Sequence, residues 1–211
     1  MTETTHKKSR MKQFNKIVSF VLQPMLMPTF GMILLLFTDV FNFYPPIWKW
    51  LAVGGTFLFT GLLPATPILI MLKRGELRDL YISKKEQRTL PYLFSLLAYT
   101  FWAIFMWRVL FFPTFIVAMG VGSTISIIII LLVNLKWKIS AHLSGIGGVA
   151  GGVFATCYQL ALNPIGLFVA VLFFSALTAY SRIELKAHTP AQTLAGFSVG
   201  FLVVFLFGIF F

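Results

Sequence analysis

Residues 113–135 read PTFIVAMGVGSTISIIIILLVNL, 23 positions without a single charge. As an α-helix this stretch is about 34 Å long at about 1.5 Å per residue, enough to cross the roughly 30 Å hydrocarbon core of a bilayer. Its apolar residues run continuously. They do not alternate over about ten positions, as the strands of a membrane barrel would. Backbone groups cannot go unpaired in lipid, so a continuous apolar run of this length specifies a spanning helix.

Six similar segments surround it. The predicted spans are 17–41, 47–72, 91–112, 113–135, 142–162, 164–179 and 190–211, the sixth being short. The expected fold is therefore an all-α polytopic transmembrane helix bundle of six to seven spans. A basic polar segment, 1–16, precedes a single membrane domain, 17–211. The composition agrees: 58% of the 211 residues are hydrophobic and 24 are Phe, whereas 11% are charged, against about 25% in a soluble domain. The apolar run after residue 16 is too long for the core of a cleavable signal, so it is read as the first span. Pro45-Pro46, Pro113 and Asn163-Pro164 divide neighbouring spans. Pro24, Pro28, Pro64 and Pro67 fall inside spans and predict kinks.

The net charge of +11 does not indicate nucleic acid, because the basic residues occupy short segments between apolar runs. Fifteen of the 17 Lys and Arg lie in four regions that seven spans put on one side. These are the N-terminus (Lys7, Lys8, Arg10, Lys12, Lys16), the second loop (Lys73, Arg74, Arg78, Lys84, Lys85, Arg88), Lys136 with Lys138, and Arg182 with Lys186. Lys49 and Arg108 remain on the other. The positive-inside rule assigns the rich side, with the N-terminus, to the cytoplasm. The expected location is a plasma membrane of the bacterial inner-membrane kind. Arg108, beside Trp107 at a span end, is read as snorkelling to the headgroups. Cys157 is the single cysteine. It can form no internal disulfide and is read as a buried inert thiol. Gly147/Gly151 and Gly148/Gly152 form two Gly-x-x-x-Gly spacings, which allow close helix packing inside the bundle or between copies in a homo-oligomer.

The unusual polar residues gather in three of the same-side segments: the loop at 73–90, the stretch Lys136 to His142, and the stretch Ser181 to His188. Two of the three histidines stand there, each at the N-terminal edge of a span, where free N–H groups and the helix dipole favour anions. Arginine and lysine beside them suit a phosphate at the membrane surface. Histidine can serve there as nucleophile or general acid without a metal. Few ionisable groups lie within the spans, which argues against a channel or solute transporter.

Ser181-Arg182-x5-His188 resembles the third signature of the type 2 phosphatidic acid phosphatase family, Ser-Arg-x5-His-x3-Asp, with Gln192 at the final position. Ser140-Ala141-His142 is similar to that family's Pro-Ser-Gly-His, with Ile139 for proline and Ala141 for glycine. Its first signature, Lys-x6-Arg-Pro, is echoed by Lys84, Lys85, Arg88 and Pro91 with different spacing. The resemblance spans residues 80–195. It implies a membrane phosphatase acting on a lipid phosphate or pyrophosphate, with no cofactor and no metal. His188 would form a phosphohistidine and His142 would protonate the leaving alcohol and then activate water. Arg182, Ser140, Ser181, Lys84, Lys85 and Arg88 would hold the phosphate. Gln192 would replace the orienting carboxylate with a neutral amide. The alternative expectation is a catalytically weak or inactive relative that binds or moves anionic lipids.

Overall fold

The computed structural model describes residues 2–42, 44–77 and 85–211, and side chains at 9–38, 40–42, 44–77 and 87–211. Among the described residues every regular element is helical. The elements are α1 (Thr2–Val21), a 3₁₀ turn (Pro24–Leu26), α2 (Met27–Leu35), a second 3₁₀ turn (Asp39–Phe41), α3 (Pro46–Thr56), a π-helical turn (Phe57–Leu62) and α4 (Leu63–Lys73). After a short 3₁₀ turn (Lys85–Arg88) come α5 (Thr89–Arg108), α6 (Thr114–Lys136), α7 (Ala141–Gln159), α8 (Ile165–Glu184) and α9 (Pro190–Phe210). Six helical stretches are long and apolar enough to cross a membrane: 9–35, 46–73, 89–108, 114–136, 165–184 and 190–210. The chain is an integral membrane protein built as an all-α bundle.

Prolines shape the first two spans as the sequence predicts. The first is not merely bent. It is interrupted at Gln23, whose backbone is extended at φ −74°, ψ 149° before Pro24. In the second, Pro64 lacks an N–H and its ring crowds the carbonyl one turn back, and the π turn widens the helix just before it. Thr56 and Thr60 stitch this irregular stretch. Thr56 Oγ1 donates to the Ala52 carbonyl (2.7 Å) and accepts from Trp102 Nε1 (3.0 Å), and Thr60 Oγ1 donates to the Thr56 carbonyl (2.8 Å).

Three boundaries differ from the sequence reading. The first span, expected to start at 17, begins at Ser9, and the basic polar segment 1–16 is part of helix α1 from Thr2 onward. The first span, expected to reach 41, ends its α-helix at Leu35. The sixth, expected to stop at 179, continues to Glu184. Ser181 and Arg182 therefore belong to the last turn of α8 and not to a loop, because both are buried against the bundle and Arg182 there complements the negative end of the helix dipole. Arg108 is exposed and lies over the Trp107 ring at 3.8 Å. Cys157 is buried and free.

Helix α7 lies inside the bundle and packs most closely on α9. The two are parallel, both starting at the same end. A side chain at Gly147 or Gly151 would meet the Phe197 or Phe201 carbonyl, and one at Gly200 would meet the Ser144 carbonyl. The close approach that the Gly-x-x-x-Gly spacing permits is thus taken up by α9 of the same chain. Gly200→Ala is expected to destabilise the protein by about 1–3 kcal/mol through overpacking. Gly166→Ala, with open space around it, should change the melting temperature in detergent much less.

Candidate functional site

The site is assembled from helix ends. Ser140, in extended conformation, caps α7 by accepting the Leu143 N–H on its Oγ (3.4 Å), which puts His142 in the first turn. Thr189 and Gln192 form a capping box at the start of α9: the Gln192 N–H donates to Thr189 Oγ1 (3.3 Å) and the Thr189 N–H donates to Gln192 Oε1 (3.2 Å). The two N-termini are tied together, since the Ser140 N–H donates to the Gln192 carbonyl at 3.3 Å. Gly196 lets α9 lie against the Ser140 carbonyl.

The five-residue spacing between Arg182 and His188 is the length of a helix-terminating turn. The Lys186 N–H donates to the Ile183 carbonyl (2.8 Å) and the Ala187 N–H to the Arg182 carbonyl (3.0 Å), with Lys186 left-handed at φ 53°. This is the Schellman pattern, here with lysine where glycine is usual. It reverses the chain and delivers His188 to the start of α9, where its own N–H also reaches the Arg182 carbonyl (3.3 Å).

His188 is 6% exposed. Its Nδ1 lies 3.1 Å from Gln192 Oε1. Because Oε1 also takes the Thr189 N–H, the amide oxygen faces both partners. An amide oxygen only accepts, so Nδ1 carries the hydrogen and Nε2 keeps its lone pair. Burial, then the charges of Arg88 and Arg182, push the His188 ring down to about 3, the Gln192 bond opposing and Lys138 adding to the fall. The folded protein therefore holds His188 neutral.

His142 is also buried, and its Nε2 lies 3.1 Å from the Ser19 carbonyl of α1. The cations acting on it are Arg182 and Arg88, and the His188 ring stands within the same reach. Arg88, 5% exposed at the N-cap of α5, donates from Nη1 to the Ile139 carbonyl (3.4 Å) and hydrogen-bonds Tyr92 one turn on. Two imidazoles and two guanidiniums thus share one end of the bundle, together with the positive ends of two helices.

An apolar cavity of about 600 Å³ extends from this end between the first span, the second span and α5 to α7. Arg88, His142 and His188 stand among its lining residues. One face of α5 lines it at Arg88, Pro91, Tyr92, Ser95, Tyr99, Trp102 and Met106, a run of about 27 Å along the helix. Met27, Met32, Ile116 and Met119 contribute to its walls.

The structure brings together His142, His188, Gln192, Arg182 and Arg88. Arg88 reaches the site although two spans separate it from His142, because α5 and α6 form a hairpin that returns the chain to the same side. Ser140 and Ser181 serve architecture: the first caps α7, and the second donates to Asn15 Oδ1 at 3.2 Å. Lys84 and the side chain of Lys85 lie outside the described residues. Sequence reasoning missed Asn15, Ser19 and Tyr92. The available signals were two polar residues one turn apart ahead of Pro24, and a tyrosine one turn after Arg88. Among the described residues no three His, Cys, Asp or Glu side chains gather as metal ligands would. Comparison of the chain with known protein families, with curated proteins and with solved structures returns no match.

The depressed His188 has a signed consequence. Between about pH 6.5 and 3 the unfolded chain binds a proton that the folded site refuses, so folding stability drops as pH falls through that window. Thermal unfolding in detergent from pH 7 to 4 should show a smaller acid loss for His188→Asn than for wild type. Equal losses would mean that His188 is not held neutral.

Proposed function

We propose that this protein is a membrane phosphohydrolase acting on a lipid phosphate or pyrophosphate, of the type 2 phosphatidic acid phosphatase kind. The observation that carries the reading is the junction of a cationic, two-histidine site with a long apolar cavity. A phosphorylated lipid has the same polarity: an anionic head for the arginines and a hydrocarbon chain for the cavity.

In this reading His188 Nε2 attacks phosphorus, an N–P bond forms and the P–O bond to the lipid breaks. His142 gives its proton to the departing oxygen. His142 then takes a proton from water, which cleaves the phosphohistidine and releases phosphate. Arg88 and Arg182 counter the charge on the phosphoryl oxygens as it builds up. Gln192 keeps the tautomer that leaves Nε2 nucleophilic but adds no charge, so the imidazolium-like transition state is less supported than it would be by a carboxylate. We assign the site to the cytoplasmic face on the distribution of Lys and Arg, so the substrate is a lipid of that leaflet.

Phosphate release by purified protein from a panel of lipid mono- and pyrophosphates tests this. His188→Ala should abolish release, and His142→Ala should lower it roughly 10²–10⁴-fold. Full activity in both variants would sink the mechanism. Gln192→Glu keeps the capping box and supplies the missing charge, and should raise kcat roughly tenfold or more. The neutral Gln192 also favours a second reading, a relative that binds or moves anionic lipids without hydrolysis. Tight binding of lipid phosphate with no release, even from Gln192→Glu, would select it.

A further inference from the structure

In an unbroken helix the Ser19 carbonyl would take the N–H of Gln23. Pro24 disfavours a helical backbone at the residue before it. Gln23 is extended and α1 stops at Val21, with the Leu22 N–H on the Val18 carbonyl at 2.9 Å. The Ser19 carbonyl is thereby freed in a fully buried place, where Ser19 is 0% exposed, and it takes His142 Nε2 at 3.1 Å. One turn earlier Asn15, equally buried, accepts the Ser181 hydroxyl at 3.2 Å. The same face of α1 therefore grips both the start of α7 and the end of α8, which carries Arg182.

We infer that the interrupted first span is a positioning element of the site, in which the Ser19 carbonyl released by Pro24 fixes His142 in its Nε2–H tautomer. A carbonyl only accepts, so Nε2 must carry the hydrogen and Nδ1 is left as the nitrogen that exchanges a proton. The catalytic half of this inference rests on the phosphohydrolase reading: Nδ1, unprotonated at rest, takes the proton of a monoprotonated substrate phosphate and passes it to the departing lipid oxygen, then takes one from the attacking water and returns it to the released phosphate. The tautomer stands without it. Asn15 and Ser19 are positioning residues, acting through Ser181 and His142.

The test uses full-length protein labelled with ¹⁵N-histidine in detergent at neutral pH, with His142 assigned by its loss in His142→Gln. Wild type should show His142 as a single Nε2-protonated tautomer. Pro24→Ala regains an N–H at position 24 and lets Gln23 turn helical. It should show both tautomers, with kcat for phosphate release down roughly ten- to a hundredfold and KM little changed. A wild-type His142 protonated on Nδ1 overturns the inference, as does a Pro24→Ala protein with the wild-type spectrum and kcat. Should Pro24→Ala fail to fold, the wild-type spectrum decides alone. An Nε2-protonated His142 in a protein that releases no phosphate upholds the positioning role and removes the phosphohydrolase reading.

Discussion

Helices α7 and α9 run parallel and touch through glycine, and most of what is distinctive here follows from that contact. Lipid offers no hydrophobic drive for two helices to associate, so close backbone packing must do it. Gly147, Gly151, Gly196 and Gly200 remove the side chains that would otherwise meet the facing carbonyls. Because the helices are parallel, their N-termini arrive at the same end. Their positive dipole ends then add, and His142 and His188 come within electrostatic reach of each other. Arg88 and Arg182 join them from α5 and α8. Every charge acting strongly on the buried His188 is a cation.

The irregular parts of the bundle sit where the cavity is. The break at Gln23 to Leu26 and the π turn at Phe57 to Leu62 both contribute to its wall. Non-helical backbone at membrane depth is tolerated where it is buried in protein or lines a cavity, and side chains here take up the freed groups. Thr60 Oγ1 reaches the Met25 carbonyl of the broken segment at 3.3 Å, and His142 takes the carbonyl of Ser19. A straight packing of seven regular helices would leave neither the apolar space nor the freed carbonyl. The same prolines thus border the apolar cavity and free the carbonyl that meets His142 beside it.

Much of the fold was legible in the chain itself. The all-α bundle of apolar helices, the interruption at Pro24, the irregular turn ahead of Pro64 and the exposed place of Arg108 all depend on local properties. Hydropathy, charge and proline geometry act within one helix and need no partner. The pairing of His142 with His188, and of both with Arg182, was also readable, because helices that alternate in direction bring those segments to one face.

What the tertiary structure alone decided is which atom meets which. Ser140 and Ser181, expected to hold phosphate, are committed to a helix cap and to Asn15. Arg88 enters the site despite its unmatched spacing, since its position depends on how the α5–α6 hairpin returns and not on distance along the chain. Ser19 has no feature in the sequence that marks its carbonyl as the partner of a histidine 123 positions away. Span boundaries and charge bias are sums over neighbouring residues and survive being read one segment at a time. Hydrogen-bond partners across helices depend on packing between segments far apart in sequence, and only the folded bundle brings those segments into contact.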